Sequence, residues 1–162
     1  MTDVVWFVAH TKPRCEKKLA QYCEREGIPV TLPCCRVAHK YRGKSVVFHK
    51  PLFPGYVFLQ IAPNRRSQLA QHDHVANLLE VFDQQLFTEQ LGAIMRALET
   101  ELEIRLAPLV SKGKRVLIKF GVLRGLEGVV EDRYGMNTVL LRLDFIGQAA
   151  AVKVEATDLE IV

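Results

Sequence analysis

Histidine and cysteine are the side chains here best suited to bind metal or attack a substrate, and their spacing supports neither role. His10, His39, His49, His72 and His74 are scattered without a metal-like interval. The cluster Cys34-Cys35-Arg36-Val37-Ala38-His39, with His49 nearby, lacks the C-x-x-C pair and second ligand pair of a structural zinc site. No glycine-rich phosphate loop is present, nor a nucleophile beside a plausible base. The chain is therefore expected not to be an enzyme and to need no metal or cofactor. What remains is recognition chemistry, concentrated in Pro51-Leu52-Phe53-Pro54-Gly55-Tyr56-Val57-Phe58-Leu59-Gln60-Ile61. Side chains alternate along an extended strand, so Val57, Leu59 and Ile61 face one way and Tyr56, Phe58 and Gln60 the other. The first set is core. The second, two aromatics and an amide, is the kind of surface a partner covers.

Charge adds a second recognition signal. The formal net charge is +4, but residues 1–60 hold ten Lys/Arg against four Asp/Glu, a net +6. Residues 61–110 are net −3, with four against seven, and residues 111–162 are net +1, with eight against seven. Positive charge in the first third suggests a footprint for a polyanion near the docking strand, with a solvated basic face as the alternative.

A chain of 162 residues, 49% hydrophobic and 25% charged, suits one or two small soluble domains. No apolar run approaches the roughly 18 residues of a membrane span, and Met1-Thr2-Asp3-Val4 lacks the basic start of a signal peptide. A cytoplasmic location away from membranes is the expectation. Cys15, Cys23, Cys34 and Cys35 are expected to be free thiols.

Val4 to Ala9 predicts a strand covered on both faces. Thr11 and Pro13 predict a helix opening there, running to about Glu26 and closed by Gly27. On it Cys15, Leu19 and Cys23 share one stripe, and Arg14, Lys18, Tyr22 and Arg25 another. Val37 to Tyr41, a turn at Arg42-Gly43-Lys44 and Val46 to Phe48 predict a hairpin. The docking strand follows, then a short helix from Pro63-Asn64 to about Gln71 and a strand within Val75 to Phe82. Thr88 is expected to cap a third helix whose Leu91, Ile94, Met95, Leu98 and Leu102 pack inward. Linker composition at 107–111 gives way to short β runs at Arg115 to Ile118, Gly128 to Glu131, Thr138 to Leu143 and Ala150 to Val154. Separated by glycines, these predict a small barrel.

Trp6-Phe7-Val8-Ala9 with Lys12-Pro13, the basic helix, Arg42-Gly43-Lys44 and Pro51 to Phe58 together resemble the N-terminal domain of the NusG family of transcription elongation and antitermination factors. Gly113-Lys114-Arg115-Val116-Leu117-Ile118 through Gly125-Leu126-Glu127-Gly128-Val129-Val130 resembles the KOW motif that follows it. The resemblance implies an α+β fold. An antiparallel sheet flanked by helices over residues 1–106 binds polymerase, a linker covers 107–111, and an SH3-like KOW β-barrel covers 112–162.

The family further implies that Phe53, Pro54, Tyr56 and Phe58 contact the clamp helices of the RNA polymerase β′ subunit. Ser67 and Gln68, on the short helix after the docking strand, fall where relatives meet the gate loop of the β subunit. A protein bridging both jaws favours the closed, elongating state without doing chemistry. In specialised relatives the helix equivalent to Lys12, Arg14, Lys18, Tyr22 and Arg25 touches the non-template DNA strand, where cations track phosphates and an aromatic stacks. A solvated helix face is the competing reading. The barrel of relatives recruits Rho or a small-subunit ribosomal protein through loops matching Phe120, Phe145, Ile146 and Gly147. The protein is expected to act as a monomer.

Two departures point to a specialised paralog. Ile146 and Gln148 stand where an aromatic and an arginine are common, and Lys119-Phe120-Gly121 replaces the usual Gly-Pro-aromatic turn. Some specialised relatives rest with this domain as a helical hairpin, and the sequence permits either state. The alternative class is a KOW-containing RNA-binding or ribosome-associated protein, although the barrel segment is almost neutral.

Overall fold

In the computed structural model, which describes residues 3–109 and 113–162, the N-terminal apolar run becomes strand β1, Val5–Thr11. Met1 and Thr2, the last two positions of the expected linker (110 and 111) and the first of the expected barrel (112) lie outside the described residues. The chain divides into two compact units. One comprises Met1–Cys34 with Phe53–Gln84, the other Cys35–Leu52 with Gln85–Val162.

In the first unit β1 is followed by helix α1, Glu16–Arg25. Strand β2, Val30–Thr31, strand β5, Tyr56–Ile61, helix α2, Arg66–Ala70, and strand β6, Val75–Glu80, complete it. The sheet order is β2-β5-β1-β6 with every pairing antiparallel. Phe7 and Ala9 of β1, Val57, Leu59 and Ile61 of β5, and Leu78 of β6 form one face. They bury themselves with Leu19 and Cys23 of α1 and Leu69 of α2. β1 is apolar on both sides because Val8, on the opposite face, is also fully buried.

Helix α1 starts later than the sequence predicts. β1 runs on through Thr11, and Arg14 takes a left-handed backbone at φ 62° that no helix can include. Arg14 therefore leaves the stripe assigned to it, and Cys15 becomes the residue before the first turn, with no side-chain cap. Gly27, at φ 71°, ends the helix where expected.

In the second unit, strands β3, Cys34–Tyr41, and β4, Lys44–Pro51, form a two-stranded ribbon. Helix α3 spans Gln84–Leu98, so Thr88 lies inside it and Leu102 beyond it. Its Phe87, Leu91, Ile94 and Ala97 are buried. Strand β7, Ile104–Pro108, begins before the expected linker and takes in its first two residues, Ala107 and Pro108, because its backbone finds a partner in β11. Strands β8, Lys114–Ile118, β9, Glu127–Val130, β10, Thr138–Leu143, β11, Gln148–Lys153, and β12, Leu159–Ile161, follow. They join β7 in a six-stranded sheet of order β12-β8-β9-β10-β11-β7. β11 reads Gln-Ala-Ala-Ala-Val-Lys, a weak strand former, yet it is paired on both edges and Ala149, Ala150 and Ala151 are buried. Small side chains suit a strand packed on both faces, so tertiary pairing overrides propensity. The segment left open between barrel and helical hairpin is in the β state.

Burial, with the Glu24 carboxylate adding, pushes the Cys23 thiol up to about 11 from an ordinary 9.0. The fold favours the neutral thiol, so its contribution is complete below the unfolded pKa and is lost as pH rises through the folded one. The melting temperature should fall between pH 9 and 11, and Cys23→Ala should flatten that decline. At pH 8 iodoacetamide should modify half-buried Cys15, Cys34 and Cys35 first, with Cys23 protected until the chain is unfolded. Alkylation of Cys23 in the native chain as fast as the others would contradict the assignment.

Candidate functional site

Strand β5 is aimed by the turn in front of it. Tyr56 N–H donates to the Phe53 carbonyl at 3.2 Å, closing a four-residue turn with Pro54 second and Gly55 third at φ 87°. This is the type II pattern, in which the third position needs a positive φ that glycine adopts freely. Three elements hold the turn. Gly55 N–H donates to Glu16 Oε2 at 3.3 Å, and Thr11 N–H donates to the Gly55 carbonyl at 2.8 Å. The His10 ring lies against Gly55 and stacks on Tyr56, with centroids 5.2 Å apart and planes 20° from parallel.

The register then fixes the second face. Trp6 pairs with Gln60, Val8 with Phe58 and His10 with Tyr56. Tyr56, Phe58 and Gln60 thus share a face opposite the core, as alternation predicts. Their exposure differs from expectation. Phe58 is fully buried and Phe53 nearly so, packed edge-on at 6.3 Å and 61°. Tyr56 and Gln60 are half-buried, and Pro54 is exposed. The expected open aromatic patch is therefore a half-open one. Sequence alternation gives the direction of a side chain, whereas solvent access depends on everything packed around it. Ser67 and Gln68 sit exposed on α2.

On the basic helix, Lys18, Tyr22 and Arg25 fall on one side at helical spacing. Lys18 and Arg25 are exposed, but Tyr22 is half-buried and lies against the His72 ring at 4.2 Å. Lys12 and Arg14 are exposed in the loop before the helix, Lys12 anchored by its N–H to the His74 carbonyl at 3.0 Å.

The barrel loops are partly engaged. Phe120 is 61% exposed. Phe145 and Ile146 are half-buried, Gly147 is exposed, and Phe145 packs edge-on against Phe87 of α3 at 6.3 Å and 85°. Asp144 N–H donates to Gln90 Oε1 at 2.9 Å, and Arg96 Nη2 donates to the Arg124 carbonyl at 2.7 Å. A cavity of about 610 Å³ lies between, lined by Leu86, Gln90 and Ala93 of α3 and Leu126, Leu140 and Arg142 of the barrel. The sequence reading missed Glu16 and His10 as supports of the turn, and Phe87, Gln90 and Arg96 as partners of the barrel. An acid three residues after Pro13, in the first turn of the expected helix, was the available signal for Glu16. Nothing local announced the others.

Among the described residues no three His, Cys, Asp or Glu side chains are grouped to hold a metal ion, and no helix is long and apolar enough to cross a membrane.

Residues 4–90 match the family model described as transcription termination factor nusG. No curated protein matches the chain in sequence. Among solved structures, one of NusG from Thermotoga maritima, described for its domain interaction, is similar at a TM-score of 0.53 and 18% identity. That match covers 98% of this chain and 97% of that one, and shows a shared fold. With more than half its length matched by the family model, the chain belongs to the NusG family of transcription elongation and termination factors.

Proposed function

We propose that this chain is an elongation factor with antiterminating activity. It docks on RNA polymerase through the Pro54-Gly55 turn and the second face of β5, and recruits a further factor through its KOW barrel. The observation that carries the reading is the turn itself. Three backbone or side-chain hydrogen bonds hold Pro54 in solvent and present Tyr56, stacked on His10, on the side away from the core. An apolar surface held so firmly and left half open suits a partner. Family membership makes polymerase the partner class, with the β′ clamp helices meeting Pro54, Tyr56 and, once uncovered, Phe53 and Phe58. The β gate loop meets exposed Ser67 and Gln68. Bridging both, the protein binds the closed cleft better than the open one and shifts polymerase toward elongation by that difference in affinity.

Lys12, Arg14, Lys18 and Arg25 add contacts to the phosphates of the non-template strand. Tyr22, already packed on His72, contributes less than an exposed aromatic would. Phe120, Ile146 and Gly147 are the accessible part of the barrel surface for Rho or a small-subunit ribosomal protein. Phe145 becomes available when it leaves Phe87. In this reading residues 1–106 bind polymerase, 107–111 link, and 112–162 recruit, in a cytoplasmic monomer.

Because Phe58 is fully buried, Phe58→Ala should cost about 3–5 kcal/mol of stability and is a poor probe of binding. Tyr56→Ala should melt close to the wild type yet lose at least about tenfold in affinity for a reconstituted elongation complex, equivalent to about 1.4 kcal/mol. Full affinity in that variant would remove the docking assignment. Reversing charge at Arg14 and Lys18 should weaken binding to an elongation complex with an exposed non-template strand. The salt slope should become shallower by about 1.4 for two lost single-strand contacts. An unchanged affinity and slope would leave this helix face merely solvated.

A further inference from the structure

The barrel sheet is apolar on both sides along β10. Alternation sends Val139, Leu141 and Leu143 to one side and Leu140 and Arg142 to the other. All four of the apolar residues are buried, the pattern of a strand covered on both faces. Register extends the second side into a row, with Arg115 of β8 opposite Val129 of β9 and Val129 opposite Leu140. Helix α3, in the same unit, brings Leu86, Gln90 and Ala93 to that row at i, i+4 and i+7 spacing. Its neighbouring stripe, Phe87, Leu91, Ile94 and Ala97, is buried. Packing between helix and row is incomplete, and leaves the cavity of about 610 Å³ that these residues and Leu126 line. That volume falls in the range, about 300–1,000 Å³, of sites that take a small molecule.

The polar groups of the lining sort by exposure. Arg115 and Glu127 pair at 3.1 Å with side chains 69 and 53% exposed, and Glu89 is exposed as well. Arg142 and Gln90 are half-buried, and Asp144 holds both. Arg142 Nε donates to Asp144 Oδ1, and Asp144 N–H donates to Gln90 Oε1, each at 2.9 Å. The terminal guanidinium nitrogens of Arg142 and the amide nitrogen of Gln90 have no protein partner among the described residues. Two sets of hydrogen-bond donors are thus held together beside the apolar Leu126, Val129 and Leu140. Charge in the lining cancels, Arg115 and Arg142 against Glu89 and Glu127, and Asp144 already neutralises Arg142. An anion would find no net attraction there, whereas an uncharged oxygen would satisfy the donors without displacing a carboxylate.

We propose that this cavity binds a small uncharged molecule with an apolar body and a carbonyl oxygen at one end. The body lies on Leu86, Ala93, Leu126, Val129 and Leu140, and the oxygen accepts hydrogen bonds from Gln90 Nε2 and the Arg142 guanidinium. Burial of the body supplies affinity, and the donors fix orientation. A molecule so placed touches α3 and strands β8, β9 and β10 together, so its binding strengthens the seating of α3 on the sheet. The site uses no residue of the Pro54-Gly55 turn, helix α1 or the β3-β4 ribbon, so it stands or falls separately from polymerase docking.

The test is the fluorescence of Nile red, an uncharged apolar ring system with a carbonyl, titrated with the full chain. Bound dye should brighten along a saturable curve. Ala93→Phe, which fills the cavity from a half-buried position on α3, should weaken binding at least about tenfold while the chain still melts cooperatively. Gln90→Met/Arg142→Met should move the emission of bound dye to the blue, because hydrogen bonds to its carbonyl move that emission to the red. Side chains that serve only packing would lose intensity without that shift. If Ala93→Phe fails to fold, the shift in the double variant decides alone. An unshifted emission would overturn the inference, as would undiminished binding to folded Ala93→Phe or no binding to the wild type. Loss of binding in Tyr41→Ser/Phe48→Ser instead would place the dye on the ribbon's rings, 66 and 47% exposed, and overturn it too. Tighter binding of anilinonaphthalenesulfonate, an apolar anion, lost in the same cavity variants, would overturn the uncharged assignment.

Discussion

The first unit depends on the parity of β5. Side chains in a strand repeat every two residues, so a slip of one position would send Val57, Leu59 and Ile61 outward and draw Tyr56, Phe58 and Gln60 into the core. The Pro54-Gly55 turn sets that parity at the strand's first residue. The antiparallel pairing of β5 with β1 then carries it from His10-Tyr56 to Val5-Ile61 without a bulge. The irregularity in β1 falls between His10 and Thr11 on its other edge, against β6. The carboxylate of Glu16 and the backbone of Thr11 thus act on strand direction through one glycine. Glu16 is on the first turn of α1, so the seating of α1 and the aim of β5 are coupled by that hydrogen bond.

That coupling explains an otherwise odd helix start. A helix beginning at Pro13 would have a favourable first residue, but Glu16 would then lie a full turn deeper. Instead the chain leaves β1 through a turn in which Arg14 is left-handed, and Glu16 becomes the first helical residue with its carboxylate near Gly55. An acid at that position also complements the partial positive charge of the helix N-terminus. The cost of the Arg14 backbone, on the order of 1 kcal/mol, is offset locally by these contacts.

The sequence was legible where a pattern is local. Alternation sorted the faces of β5, Gly27 ended α1, and Arg42-Gly43 marked a hairpin that the structure extends to Cys34 and Pro51. The short β runs after residue 112 read correctly as strands because glycine turns punctuate them. It was illegible where pairing across long separations decides. The end of β7 looks like linker because Ala107 and Pro108 have no pattern of their own, and it is a strand only because β11 lies beside it, some forty residues later. Thr88 resembles a cap, but Gln84 takes the start of α3 by bonding the backbone of Trp6, with Trp6 N–H donating to its Oε1 at 2.7 Å and its Nε2 donating to the Trp6 carbonyl at 3.0 Å. The burial of Phe58 belongs to the same class. A strand face can be assigned from sequence; whether solvent reaches it cannot.

Electrostatics shows the same division between local pattern and distant pairing. Counting charges shows a basic first third but cannot distinguish a cation awaiting a partner from one already satisfied. In the described structure the ion pairs Arg115–Glu127, Lys119–Glu160, Arg133–Glu131, Arg142–Asp144 and Lys153–Glu103 all lie in the C-terminal third or at its border. Arg115–Glu127, Lys119–Glu160 and Lys153–Glu103 are exposed and contribute little to stability, while Arg142–Asp144 is half-buried. Their effect is to neutralise the barrel's own cations at short range, so the field of that region is weak beyond a Debye length of about 8 Å at physiological salt. Lys12, Arg14, Lys18, Lys40, Arg42 and Lys44 have no such pairing among the described residues. The positive potential of the chain therefore arises from the loop before α1, from α1 itself and from the tip of the β3-β4 ribbon. This argues against reading the barrel as a general RNA-binding module, since Arg115, Lys119, Arg133, Arg142 and Lys153 would have to break their own pairs before meeting phosphate.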